Sequence, residues 1–418
     1  MQKSKVMGNT IMLYIMSIAK LIFPLLTLPY LTRVLSEDTY GFVSYVKSCM
    51  TYMQLIIDFG FILSSVKDIV KANGDNEKIG KIAGNTFLAK TMLSIVSAVA
   101  MIIMYLFIDI LQISFLFVIL SFGAVALTSY LADFLFRGIE KMHYITIVYL
   151  ISKGVAVVLT FVFVKGDSTI IWIPVLDILM NVIAIVISIG IIKKLGIKIR
   201  LTALKDCFIM IKDSFTYFLS SVATTVFSAL NTLLIGIYIS DLAQVAHWSL
   251  CLTMISAIQG LYAPICNSVY PHMIQERRLS FIHKILKIFM PLVVVGCGLC
   301  IVLADIAMLV VGGEKYVEAS DLFRLLVPIL LFSFPAQLYG WPTLGAIGKT
   351  KETTASTVLS ASFQLIGLIV LIVFNCFTLI SLAILRSLTE LVLMGTRMFI
   401  TYRNKRMFSD FRCAEAHN

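Results

Sequence analysis

Residues 9–41, NTIMLYIMSIAKLIFPLLTLPYLTRVLSEDTYG, decide what kind of protein this is. The run is apolar for long enough to cross a bilayer, which takes roughly 20 residues of helix. It nevertheless carries Lys20 near its middle, followed by Pro24 and Pro29. A lysine at the centre of a spanning helix costs about 2.5 to 3.5 kcal/mol on insertion scales. Three placements relieve that cost: the ammonium snorkels to an interface, pairs with a carboxylate, or faces an aqueous cavity. In the last case the protein passes something negatively charged across the membrane, and the rest of the chain supplies the walls. The prolines remove backbone donors and offer points at which this helix can bend.

Outward from that stretch the same character persists. The chain of 418 residues is 59% hydrophobic and only 14% charged, with mean hydropathy +0.96, whereas soluble domains are nearer 45 to 50% apolar. Apolar runs are continuous and show no strand alternation, so the fold class is all-α, a polytopic membrane protein and not an outer-membrane barrel. The net charge of +11 is scattered through short breaks between apolar runs, which is a topology signal and not a nucleic-acid patch. Lys3 and Lys5 lead into a run too long for a cleaved signal peptide, so a retained first helix is expected. The eight cysteines have no common spacing; Cys297 and Cys300 form a C-x-x-C in an uncharged run without histidine and read as packing residues.

Breaks at charges, glycines and Asp/Asn clusters delimit about twelve spans, near 7–31, 41–66, 82–108, 110–136, 142–164, 168–192, 215–239, 242–266, 285–311, 322–344, 356–374 and 377–401. Lysines and arginines concentrate in alternate loops, so both termini are expected in the cytoplasm. The longest polar connection suggests an N-terminal lobe of six helices over 1–192, a cytoplasmic connecting segment over 193–214, and a C-terminal lobe of six helices with a short tail over 215–418. Within it IRLTALKDCFIMIKDSF, residues 199–215, has apolar residues at helical spacing between lysines and is expected in the headgroup plane.

Seven basic residues fall inside spans: Lys20, Lys47, Lys90, Lys153, Arg324, Arg386 and Arg397. Facing lipid at mid-depth they would together cost roughly 17 to 25 kcal/mol, more than the net stability of a typical fold. Asp58, Asp133, Asp177, Asp305 and Glu390 are the intramembrane acids. Arg324, Asp305 and Arg397 lie near span ends and are expected to snorkel. Lys20, Lys153 and Glu390 have no such exit. Lys47 and Asp58, eleven residues apart, sit close to one helical face. Arg386 with Glu390, and Asp133 with Arg137, have the i, i+4 spacing of intrahelical ion pairs. Asn231, His247 and Gln259 line a cavity, bond neighbouring helices or anchor at an interface. No phosphate-binding loop, His/Cys metal cluster or Ser, His, Asp arrangement equips the chain as an ATP-driven pump or a hydrolase.

Several short motifs recur in a known order: Pro29-Tyr30-Leu31-Thr32-Arg33-Val34-Leu35 with Tyr40-Gly41; Asp58-Phe59-Gly60-Phe61 with Lys67-Asp68-Ile69; Phe136-Arg137-Gly138-Ile139-Glu140-Lys141-Met142; Phe218-Leu219-Ser220 leading to Asn231; and Pro264-Ile265 to Tyr270-Pro271. In these the chain resembles the polysaccharide transporter family, the Wzx-type flippases of O-antigen and capsule repeat units, in the MOP superfamily that also holds MATE exporters and MurJ-type lipid II flippases. Ser36 stands where that family often has glycine, and Phe134 and Arg137 where it has an aromatic-x-x-Gln-Gly. The resemblance implies two MATE-like six-helix lobes around a central cavity, lined largely by spans 1, 2, 7 and 8 and opening alternately to each side of a bacterial inner membrane. It implies a polyprenyl-pyrophosphate-linked oligosaccharide as cargo, membrane lipid around its tail and association with polysaccharide polymerase machinery.

On this expectation Lys20, Lys47 and Lys153 bind the anionic cargo; Asp58 and Glu390 serve ion coupling or hold a charge partner; and Lys90, Arg386, Asn231, His247 and Gln259 are secondary cavity candidates. No cofactor is expected beyond a coupling H+ or Na+. The rival expectations are a MATE-like multidrug or cation exporter, which would want an acidic cavity, and a membrane polysaccharide polymerase or ligase, which would want a large external loop.

Overall fold

The computed structural model describes residues 2–202, 204–225 and 229–410, and every regular element among them is helical. In chain order these are α1 (Gln2–Val34), α2 (Glu37–Asp58), α3 (Phe61–Lys71), α4 (Asn76–Phe107), α5 (Asp109–Gln112), α6 (Phe115–Thr128), α7 (Asp133–Gly138), α8 (Met142–Phe163), α9 (Trp172–Lys194) and α10 (Leu204–Thr225). They continue as α11 (Ala229–Tyr238), α12 (Leu242–Gly260), α13 (Tyr262–Glu276), α14 (Leu279–Val302), α15 (Ala304–Val311), α16 (Ser320–Leu326), α17 (Pro328–Leu338), α18 (Thr350–Val373) and α19 (Leu379–Arg403). Ten helical segments among the described residues are long and apolar enough to span a membrane, or eleven if the bent pair Glu314–Leu326 and Pro328–Gly345 is one span. The expected twelve is therefore not reached by this count. The expected seventh span, 215–239, runs across residues 226–228, which lie outside the described residues.

Two compact units divide the chain, Met1–Thr225 and Val226–Asn418. In the first, α1 stays helical through Pro24 and Pro29. Threonine hydroxyls bond the carbonyls beside those prolines, Thr27 to Phe23 at 3.1 Å and Thr32 to Leu28 at 2.9 Å. Tyr30 donates its hydroxyl to the Val164 carbonyl at 2.6 Å and so fastens α1 to the end of α8. The second expected span breaks after Asp58, because Phe59 and Gly60 adopt left-handed conformations with φ of 40° and 79°. Glycine is required at position 60 on two counts, since a Cβ there would also lie 2.5 Å from the Cβ of Tyr217.

Residues 199–202 and 204–215, expected in the headgroup plane, pack against the rest of the first unit. The backbone at 198–201 runs along α4 over Gly80 and Gly84, and Arg200 donates its amide to the Gly80 carbonyl at 3.1 Å. Thr202 bonds the Asn85 side chain, and Ser214 of α10 meets Ser64 of α3 at 2.6 Å. Cys207 is fully buried in a cluster with Phe61, Ala89 and Leu93. The helical period was legible, but the face carrying Cys207 and Ser214 packs on protein, with Phe208 and Ile209 left exposed. The first compact unit accordingly extends to Thr225, past the expected limits at 192 and 214.

In the second unit α19 packs along α17 and α18. The chain bends by 43° between α16 and α17, where Pro328 lacks an amide to continue the ladder. A second kink follows at Gly340, ψ −118°, within the irregular turn Tyr339–Gly345.

Candidate functional site

The first unit contains a cavity of about 390 Å³ walled by α2, α6, α8 and α9. The side of α2 that faces it is a polar stripe, Lys47, Thr51 and Gln54, at i, i+4 and i+7. Ser121 and Thr128 of α6, Lys153 of α8, and Asp177 and Asn181 of α9 complete the polar wall, with Phe117, Ile173 and Pro174 among the apolar remainder. Lys153 Nζ donates to Asp177 Oδ1 at 2.7 Å. Lys47 forms no ion pair among the described residues, and two lysines facing one carboxylate leave the cavity net positive.

Below the cavity the α2 stripe continues into a chain of hydrogen bonds. Thr128 donates to Gln54 Oε1 at 2.7 Å, Gln54 Nε2 donates to Asp58 Oδ2 at 2.7 Å, and Lys90 Nζ donates to Asp58 Oδ1 at 2.8 Å. Lys90 is buried, with its ammonium 5.9 Å from the centre of the Phe134 ring. Asp58 thus serves Lys90 and not Lys47, and Lys90, one of the expected cavity groups, does not line the cavity. Among the described residues Asp133 and Arg137 do not form the ion pair that their spacing offers. Asp133 stands in the first turn of the six-residue α7, where the free amides already favour a carboxylate, and the buried Arg137 Nε has no hydrogen-bond partner.

Lys20, expected beside Lys47 and Lys153, lies apart from the cavity wall. It is exposed on α1, with its ammonium 5.5 Å from the centre of the Tyr149 ring on α8, one helical turn from Lys153. The other candidates lie in the second unit. Arg386 and Glu390 bond each other at 2.8 Å with side chains only 10% and 8% exposed. Asn231 accepts from Gln364 at 3.1 Å, and Thr389 donates to the same Gln364, so the three buried side chains cross-link α11, α18 and α19. His247 packs edge-on to Tyr316 at 5.6 Å, and Gln259 is half-buried on α12. Arg324 pairs with Asp305 at 2.7 Å and Asp321 at 2.6 Å. Arg397, expected to snorkel, turns into the unit instead: it donates to the Ala336 carbonyl at 2.7 Å and to the hydroxyls of Ser356 and Thr357.

Asp177, Gln54, Thr51, Thr128, Ser121 and Asn181 are the cavity residues that sequence reasoning did not single out as a site. A signal existed in the 47, 51, 54, 58 stripe and in Asp177 with Asn181 at i, i+4. Which helices those faces meet is a tertiary fact that spacing within one helix does not contain.

The sequence profile of the family described as polysaccharide biosynthesis protein matches residues 6–277. The chain belongs to this family. That membership bears out the resemblance to the polysaccharide transporter family. A protein of Escherichia coli strain K12 described as "Putative O-antigen transporter" is 25% identical over 95% of this chain and 97% of its own. A Shigella dysenteriae protein with the same description is 29% identical over 67% of this chain and 70% of its own. Among solved structures, the lipid II flippase MurJ in an inward closed conformation superposes with a TM-score of 0.73 over 94% of this chain and 87% of its own, at 14% identity. An inward-facing multidrug resistance MATE family transporter of the MOP superfamily gives 0.64 over 92% and 99%, at 13% identity. At such identities the structures share the fold: this family member is an all-α, multi-pass membrane protein of the MATE and MurJ type.

Proposed function

We propose that the chain is a flippase that moves a polyprenyl-pyrophosphate-linked oligosaccharide, the repeat unit of an O-antigen or another surface polysaccharide, from the cytoplasmic to the outer leaflet of the bacterial inner membrane. The observation that carries the reading is Lys47: a lysine on a spanning helix, without an ion pair among the described residues, facing a cavity whose only other charges are Lys153 and its partner Asp177. A multiply charged headgroup cannot cross hydrocarbon unaided, and ammonium groups in a low-dielectric cleft replace part of its hydration. The polyprenyl tail stays in lipid while the headgroup passes by alternating access. Family membership and the relatives described as O-antigen transporters support the same cargo class. The lysine excess weighs against a cation exporter on the same fold. Basic loops at alternate breaks support a cytoplasmic location for both termini.

The test is surface polysaccharide in a strain whose own copy of this gene is deleted. Deletion abolishes the polysaccharide, Lys47→Arg restores it, and Lys47→Met at equal protein level does not. Polysaccharide that persists in the deletion strain refutes the flippase assignment, and full restoration by Lys47→Met removes Lys47 from the mechanism.

A further inference from the structure

The charges around the cavity are unequally engaged. Lys153 is occupied by Asp177 at 2.7 Å, whereas Lys47 faces open volume with no ion pair among the described residues. The nearby amides are committed to the protein: Gln54 bonds Asp58 and Thr128, and Asn181 donates to the Ala124 carbonyl at 2.9 Å. One of the two ammonium groups is thus held by a carboxylate that belongs to the protein itself. The paired side chains of Lys153 and Asp177 are 37% and 36% exposed, so a group entering the cavity reaches both without unfolding a helix. A volume of about 390 Å³ falls within the ~300 to 1,000 Å³ of small-molecule sites.

We propose that this cavity within the first unit is an oxyanion receptor, in which the ligand binds Lys47 and then displaces Asp177 from Lys153, so that Asp177 acts as a built-in competitor. The natural ligand rests on the flippase reading: the diphosphate link and the carboxylate of an acidic sugar both supply this chemistry. A desolvated oxyanion needs counter-charge at hand. Lys47 supplies the first contact, and a ligand with more than one anionic oxygen obtains the second only by breaking the Lys153–Asp177 pair. The exchange has a use in transport. Two free lysines would hold a diphosphate too tightly to release it, whereas a carboxylate waiting to re-pair with Lys153 lowers affinity and helps the ligand leave, as a conducting site requires.

The experiment uses the full-length protein in nanodiscs, titrated calorimetrically at low salt with inorganic pyrophosphate and separately with glucuronate. Wild type binds at least one probe, Lys47→Gln binds it at least about tenfold more weakly, Asp177→Asn at least about tenfold more tightly, and Asp177→Glu like wild type. Binding of pyrophosphate alone points to the diphosphate link, and of glucuronate alone to an acidic sugar; either supports the receptor. No binding of either probe, no loss in Lys47→Gln, or no gain in Asp177→Asn overturns it. Because Asp177→Asn leaves Lys153 without a counter-ion, thermal midpoints are read in parallel. The variant starts below wild type and recovers with the bound probe, and a midpoint that saturating probe fails to raise refutes the exchange. Polysaccharide in the deletion strain reports on the flippase assignment alone: its persistence would sink that reading whatever the titrations give, while failed titrations with normal complementation sink only the receptor.

Discussion

The passage of residues 198–201 over α4 yields a sharp test, because it depends on two glycines having no side chain. A Cβ built at Gly80 would lie 2.9 Å from the carbonyl carbon of Lys198, and one at Gly84 would lie 2.7 Å from that of Arg200, with the carbonyl oxygens closer still. The obstructing atoms are backbone and cannot swing aside, so Gly80→Ala and Gly84→Ala each push residues 198–201 off the helix. Overpacking of this kind costs about 1 to 3 kcal/mol, at the upper end where backbone must move. Loss of the Arg200 amide bond to the Gly80 carbonyl adds about 1 kcal/mol. A helix-interior alanine returns up to about 1 kcal/mol over glycine, leaving a net loss of about 2 to 3 kcal/mol per site. For a unit the size of Met1–Thr225 that lowers the unfolding midpoint by about 4 to 12 °C, at ~2 to 4 °C per kcal/mol. The two losses fall short of additivity, since one segment displaced once relieves both clashes. The assay is thermal unfolding of the purified protein in detergent, with Gly190→Ala as control, because nothing lies within 4 Å of a Cβ at that helical site. If Gly80→Ala and Gly84→Ala melt with the control, residues 198–201 do not lie on α4.

Two further outcomes follow from individual side chains. Arg397 bridges the Ala336 carbonyl and the hydroxyls of Ser356 and Thr357 beside the kink at Gly340. Arg397→Lys keeps the charge but cannot span the three acceptors and should cost about 2 kcal/mol; hydrogen exchange of the amides at 336–345 should quicken, and unchanged exchange would show that the kink holds itself. Asp75 caps α4, accepting from the amides of Glu77 and Lys78 at 3.0 and 3.1 Å. The Lys78 amide first, then the Lys78 side chain and the Glu77 amide, hold its carboxyl below the usual carboxylate range. A lowered folded-state value means that the cap contributes in full above the ordinary carboxylate value near pH 4 and is lost as pH falls through the lowered one. Asp75→Asn should keep the cap and flatten that acid limb of the stability profile; an identical limb in both proteins would locate the acid sensitivity elsewhere.

Helical class and most span positions are legible because they depend on local quantities, length and apolar content, which need no partner. Breaks inside spans are harder. Nothing apolar or polar distinguishes Phe59-Gly60 from its surroundings, yet Phe59 takes φ 40° and only glycine fits at position 60, both for its positive φ and because Tyr217, more than 150 positions away, leaves no room for a Cβ. The same holds for residues 199–202 and 204–215: their period is plain, but it does not contain the facts that the backbone at 198–201 passes over Gly80 and Gly84 or that Cys207 and Ser214 pack on α3 and α4.

Charge placement shows the limit most clearly. Depth in a span singles out Lys20 and Lys153, the resemblance adds Lys47 to them, and Arg397 is expected to reach the interface. What sorts these residues is the partner on the neighbouring helix: Asp177 for Lys153, Asp58 for Lys90, the Ala336 carbonyl for Arg397, the Tyr149 ring for Lys20. Each supplies what a cation on a spanning helix lacks, and each is set by packing between helices whose register no single span encodes. Glu390 was within reach because it lies on the same helix as Arg386, four residues on. Lys47 is the case where packing provides no ion pair, among the described residues, and a cavity in its place. A cation kept on a spanning helix without an internal partner is stable only with water or a ligand to meet it, and it is this unmet requirement, more than the number of lysines, that marks the cavity as a site for an anion.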